Sequence, residues 1–416
     1  LSPALAAEYA YQLYPIKNAR AFNKGDLLNF SEVGVKAVDS KILEIELEYP
    51  TPYFLSLLAH YSTFPVHPPT ILKFGDMDER GSAWTRPGNF VGNGPFKLKS
   101  WRLNYIIEVD KNPHYWDAGT VKLAGIRFYP IDNIQTEERM FRTGALHATS
   151  TTPSEKIAVY QSKAPHLISI SPYLGTYFYR FNVTRPPLDD PRVRLALSLA
   201  VDRQAIIDSV TKGGQIPAYS FTPPNTQGYF PPESPVSYDL EYGRVLLAEA
   251  GFGGGEGFPV LELLYNTSDG HRRIAEAIQQ MWKKGLGIDV RLVNTDWKVY
   301  LSRTNQLDYD ISRAGWIGDY PDPNTFLDMM LSDGGNNRTG WRNNDYDELI
   351  ERAASLADQK ERYQTFEQAE MILDREAPLL PIYTYTRVAL RDPSVKNWFP
   401  NILDHHPYKY VYLQSD

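Results

Sequence analysis

The stretch from residue 260 to residue 293 limits what this chain can fold into more than any other. It opens with "VLELLYN", an apolar strand, continues with Ile274, Ile278, Met281 and Trp282 on one helical face, and closes with "IDVRLVN", which alternates as a second strand. Strand, helix and strand in so short a span require a right-handed crossover and a parallel pair. A parallel pair excludes an all-β meander and an all-α bundle for this part of the chain.

Elsewhere the texture varies. "GVKAVDSKILEIELEY" reads as a hairpin, with Leu43, Ile45, Leu47 and Tyr49 alternating against Glu44, Glu46 and Glu48. "GPFKLKSWRLNYIIEVDKN" predicts a second antiparallel pair. Asp190 before Pro191 is a helix start, the acid free to cap and Pro at the first helical position. Further helices are expected over 239–250, ending at Gly251, and near 345–357 and 359–375, ahead of the strand "LLPIYTY". With 416 residues and 42% hydrophobic content, the chain has room for two α/β lobes, and a cleft between lobes is a usual ligand site.

Composition removes several function classes. There is no cysteine, so disulfides, thiolate catalysis and Cys-ligated metals are out. A net charge of -7 with no basic patch argues against nucleic acid as a partner. No run approaches the roughly 20 apolar residues that span a bilayer. Leu1 stands first, with no Met and no signal-peptide pattern. No phosphate loop, nucleophile elbow or paired-histidine helix occurs, and no nucleophile, base and oxyanion site can be assembled. His405 and His406 follow Asp404, but adjacent histidines without spaced partners are a poor metal site. Asn182, Asn266 and Asn337 begin Asn-x-Ser/Thr triplets, a motif short enough to arise by chance.

One segment resists a structural label. "RAGWIGDYPDPNTF", residues 313 to 326, sets Arg313, Trp316 and Asp319 among Gly315, Gly318, Pro321 and Pro323. A buried carboxylate needs a cation or several donors. Either Arg313 is the partner of Asp319 in a structural ion pair, or Asp319 takes a ligand ammonium. In the second case, main chain around Gly315 and Ile317 pairs with an extended ligand. The residues by themselves leave both readings standing.

Several segments together resemble the peptide-binding branch of the bacterial extracellular solute-binding proteins, the oligopeptide receptors of ABC importers. They are "GNGPFKLKSW", "NPHYW", "PPLDDPRVRLALSLAVDRQAII", "LLYNTSDGHRR", "IDVRLVNTDWKVYL", the segment from Arg313, and "NNDYDELIERA". The resemblance implies an α/β, two-lobed clamshell with mixed sheets, of periplasmic-binding-protein type, whose N-terminal part of the first lobe is absent from this chain. Residues 1–72 would be a remnant of the outer subdomain, 73–174 with 387–416 the first lobe, and 175–386 the second. It further implies a periplasmic, non-enzymatic, monomeric receptor that needs no cofactor or metal. Its expected partners are an oligopeptide and the membrane permease of an ABC importer. The same scaffold carrying a murein-derived peptide, a metal chelate or a sugar is the alternative.

By the same resemblance Asp319 receives the peptide's α-ammonium, Arg313 the carboxyl terminus of short peptides, and His271 that of longer ones. Trp297, Leu301, Trp316 and Tyr173 line the cleft, while Gly315 and Ile317 offer main chain. Thr304 departs from the pattern, standing where relatives place another carboxylate-binding Arg; whether Arg303 substitutes is left open. Gly175 and Ile317 occupy positions where some relatives carry a cysteine pair.

Overall fold

The computed structural model describes residues 1–233 and 237–414, so the last two residues of the expected 387–416 segment lie outside the described residues. Two units emerge, Leu1–Ser171 with Arg387–Asp416, and Pro172–Thr386. The chain passes between them twice, inside the strands Ile168–Phe181 and Leu379–Leu390. Among the described residues no helix is long and apolar enough to cross a membrane.

The first unit uses short antiparallel pairs. β1 (Val35–Ala37) meets β2 (Leu43–Ile45). The strand expected from Leu43 to Tyr49 is shorter than its alternation suggests. Beyond Ile45 only a bridge from Leu47 to Ile16 continues the pairing, and Leu43 is 63% exposed. A two-stranded ribbon of three residues has no second layer of its own against which to bury an apolar face. β3 (Phe96–Arg102) and β4 (Ile106–Lys111) form the second expected hairpin, and β5 (Gly125–Phe128), too short to show a period, joins it as a third strand.

In the second unit β6 (Ile168–Phe181), β7 (Ile216–Pro217), β8 (Leu261–Asn266), β9 (Val290–Thr295), β10 (Ile311–Ile317) and β11 (Leu379–Leu390) make one sheet, ordered β7-β11-β6-β10-β8-β9. β8 is parallel to β9 and β10, whereas β10 is antiparallel to β6, so the sheet is mixed. The helix Pro191–Leu199 starts as its sequence requires, with Asp190 accepting from the Arg192 amide at 2.9 Å. Asp239 caps Leu240–Glu249 in the same manner, accepting from the Tyr242 amide. Asn344–Ser355 and Gln359–Glu376 complete the expected helices.

The helix Asp269–Leu286 carries the chain from β8 to β9, and Trp297–Asn305 carries it from β9 to β10. β9 and β10 flank β8 on opposite sides, so two right-handed crossovers must place these helices on opposite faces. Packing agrees. Leu263, Ile274, Ile278 and Trp282 share one core, while Leu264 packs with Tyr300 and Tyr309. Where strand order reverses in this way, ligands favour the crevice beyond the carboxyl ends of the strands. Here those ends are Asn266 of β8 and Ile317 of β10.

Candidate functional site

Register decides what β10 can offer. β6 pairs with it from Ile311 to Ile317, but β8 accompanies it only at Ile311 and Ser312. From Arg313 onward no strand among the described residues flanks the edge facing away from β6. Such an edge is a template for an added strand. One of its neighbours is already placed, since the Tyr300 hydroxyl donates to the Arg313 carbonyl.

Arg313, Gly315 and Ile317 share one face of β10 by the two-residue period of a strand. Arg313 donates from Nη1 to Asn266 Oδ1 at 3.3 Å and from Nη2 to the Tyr385 hydroxyl at 3.1 Å. Its guanidinium lies 4.7 Å from the Tyr177 ring centroid, and its Nε is enclosed without a hydrogen bond. Every polar partner is neutral, and among the described residues no carboxylate pairs with it. The structural ion pair between Arg313 and Asp319 is therefore not formed.

His271 stands in the first turn of the helix after β8 and meets the same ring. Its Nδ1 is 3.3 Å from the Tyr177 hydroxyl, with ring centroids 5.6 Å apart. Burial, and then the Arg313 charge, holds its pKa well below the ordinary imidazole range, so it is neutral at pH 7. Arg313 and His271, reached from β10 and from the opening of a helix, thus converge on Tyr177.

Asp319 follows the end of β10, where the turn is held by two main-chain bonds. Gly318 donates to the Leu174 carbonyl at 2.8 Å, and the Asp319 amide donates to Thr325 Oγ1 at 3.0 Å. Two more acids lie on this loop. Burial, followed by the charges of Asp319 and Asp322, pushes the Asp328 pKa well above the carboxylate range. The strand edge therefore runs from a cationic end at Arg313 to an acidic end at Asp319.

The other expected residues divide. Trp297 opens its helix 55% exposed and stacks on Tyr300 at 5.4 Å. Leu301 is partly buried against Leu264, Tyr300 and Tyr309. Tyr173 sets its ring edgewise to Tyr385 at 6.3 Å. Trp316 points to the opposite face of β10 and donates to the Thr325 carbonyl at 2.6 Å. Gly315 and Gly318 are both crowded by neighbouring side chains. A Cβ on Gly315 would meet the Tyr385 hydroxyl at 2.5 Å, and one on Gly318 would meet Leu174 at 2.8 Å. Both make room for the protein's own side chains.

Arg303 does not stand in for the Arg missing at Thr304. It is held by Glu262 at 3.1 Å and by Asp308 at 2.9 Å. Asn182 and Asn337 are structural, donating to the carbonyls of Tyr309 and Trp341 respectively. His406 contacts Asp404 at 2.8 Å, and Asp404 in turn pairs with Arg387. Sequence reasoning missed Tyr177, Tyr385 and Tyr300. Asn266 drew notice only as a glycosylation triplet. For the tyrosines the available signal was the period of two that puts Tyr383 and Tyr385 on one face of "LLPIYTY".

Residues 1–338 match the family described as bacterial extracellular solute-binding proteins, family 5, middle region. The oligopeptide-binding protein OppA of Bacillus subtilis is 38% identical, over 95% of this chain and 73% of its own length. Among solved structures, the murein tripeptide binding protein MppA of Escherichia coli superposes with a TM-score of 0.91 at 35% identity, over 99% of this chain and 81% of that one. Haemophilus influenzae OppA in complex with RPPGFSPFR gives 0.90 at 33% identity, with the same coverage.

Proposed function

The chain belongs to family 5 of the bacterial extracellular solute-binding proteins, and from that premise we propose that it captures extended oligopeptides in the periplasm and delivers them to the permease of an ABC importer. One observation carries this reading, an unflanked strand edge with an acid-free cation at one end and acids at the other. Four residue steps from Arg313 to Ile317 span about 13 Å, the length of a short extended peptide. A zwitterionic peptide laid along this edge brings an ammonium to Asp319 and a carboxylate to Arg313. Charge-assisted bonds then hold its ends whatever its side chains are.

In this reading Gly315 and Ile317 contribute main chain, and Trp297, Leu301, Trp316 and Tyr173 flank the ligand. His271 meets the carboxyl end of longer peptides. A bound carboxylate offsets the Arg313 charge, which adds to burial in holding the imidazole neutral. The receptor acts as a monomer, without catalysis, cofactor or nucleic acid. Residues 175–386 serve as the second lobe, 73–174 with 387–416 as the first, and 1–72 belong to its outer subdomain. A murein-derived peptide is a second reading, favoured by the likeness to MppA; it too carries charged groups for both ends. A neutral sugar uses neither, and a metal chelate lacks the free ammonium for Asp319.

The test is calorimetry with one tripeptide and its N-acetylated form. Acetylation, or Asp319→Ala, is expected to weaken binding by about 2 kcal/mol or more, the scale for stripping one partner from a desolvated charge pair. Equal affinity for both peptides would remove Asp319 from the site.

A further inference from the structure

The face of β10 opposite Arg313 holds a second cation with no acid. Arg180 of β6 lies directly across from Ser312 in the β6–β10 register, so their side chains are neighbours on this face. Arg180 is 4% exposed and Ser312 is 0% exposed. The Arg180 guanidinium lies 5.4 Å from the Phe178 ring centroid. It makes no ion pair and no side-chain hydrogen bond among the described residues, and its Nε is enclosed without a partner, while Ser312 Oγ has only the Tyr309 hydroxyl within reach. Tyr309 nearby, also 0% exposed, cannot balance the charge, because its hydroxyl donates to the Arg338 carbonyl.

Other deeply buried arginines of this unit each have hydrogen-bond acceptors, although Arg203 Nη2 is left without one. Arg194 donates to the carbonyls of Leu188, Asp189, Glu376 and Ala377, Arg203 to those of Pro381, Ser198 and Val201, and Arg362 to a carboxylate. A guanidinium cannot shed its proton, and an uncompensated buried charge is strongly destabilising. Water would satisfy the donors and leave the charge. Arg194 and Arg203 at least have carbonyl acceptors. Arg180 has none among the described residues, and an anion supplies both an acceptor and the opposing charge; the near-complete burial of Arg180 and Ser312 restricts it to a small one.

We propose that Arg180 and Ser312 hold a small inorganic anion of halide size, bound on the sheet face opposite Arg313. The inference does not depend on the peptide reading, because the peptide-binding residues proposed above lie elsewhere on β10, in its end loop and in its flanking segments. The anion bridges β6 to β10 and stiffens the strand pair from which the unflanked edge projects.

The experiment is thermal unfolding of ligand-free protein against chloride, with ionic strength held constant by a bulky organic sulfonate. A saturable rise in Tm of a few degrees is expected for the parent. Arg180→Met should abolish the dependence and, in chloride-free buffer, melt at or above the parent, since it removes the charge along with its need for an anion. If that variant does not fold, Ser312→Ala keeps the charge and should shift the chloride midpoint several-fold higher. A bromide-soaked crystal should show an anomalous peak within hydrogen-bond reach of Arg180 Nε. A second arm adds a tripeptide with either a free or an amidated carboxyl terminus. Chloride independence in the parent would overturn the proposal. So would a stabilisation that comes only from the peptide carboxylate and is lost in Arg180→Met, because the anion would then be the ligand's own.

Discussion

Arg313 and Arg362 sit in the same unit and solve the same problem in opposite ways. Arg362 is 2% exposed and grips Asp322 with two bonds, 2.6 and 2.8 Å long. Arg313 has only an amide, a hydroxyl and an aromatic face. Neutral partners orient a guanidinium without cancelling its charge, so Arg313 keeps its attraction for a carboxylate and Arg362 has spent its own. The difference separates a cation that holds the fold from one available to a ligand, although both are enclosed.

The comparison breaks most visibly on the Asp322 side. Asp322→Ala leaves Arg362 buried without its carboxylate and should destabilise the protein by about 3–5 kcal/mol, read from denaturant midpoints. A loss under about 1 kcal/mol would mean that Arg362 is no more committed than Arg313. On the other side, Arg313→Met should leave the stability of the ligand-free protein within about 1 kcal/mol of the parent. It should weaken short peptides with a free carboxyl terminus by about 2–5 kcal/mol. Titrations of tri-, tetra- and pentapeptides sharpen the point. His271→Ala should cost about 1–2 kcal/mol, and chiefly for the longer peptides. Equal losses for both variants at every length would merge the two residues into one subsite.

The smallest effect is a pH slope. His271 has a folded pKa well below its unfolded value, so the unfolded chain takes up the proton first as pH falls. Its neutral form supports the fold fully above the unfolded pKa near 6.5. That support is lost on acidification toward the folded value, by at most about 1.4 kcal/mol per pH unit. His271→Gln should flatten the profile between pH 6.5 and pH 5. An unchanged slope would place the titration elsewhere.

What the sequence disclosed and what it withheld follow from locality. The crossover from Leu261 to Thr295 was legible because burial repeats along it with the periods of a strand and a helix, as were the starts at Asp190 and Asp239. The commitment of Arg362 was not, because Asp322 lies forty residues away and meets it only through packing. Tyr177 and Tyr385 look like any of the chain's 28 tyrosines until β6 and β11 bring them to Arg313. Nor could the sequence say that Tyr385 occupies the space beside Gly315. The alternation after Leu43 misled in the other direction, since a pattern says which face is apolar and not whether a second layer covers it.

The most direct test of the contrast is a double-mutant cycle on the ligand's carboxyl terminus. Calorimetric affinities would be measured for one tripeptide with a free and with an amidated carboxyl end, against the parent and Arg313→Met. Amidation should cost the parent about 2 kcal/mol or more and cost Arg313→Met almost nothing, leaving a coupling energy of that size. If amidation costs both proteins the same, Arg313 does not meet the carboxylate, and its neutral surroundings would mark it as one more buried cation of the fold.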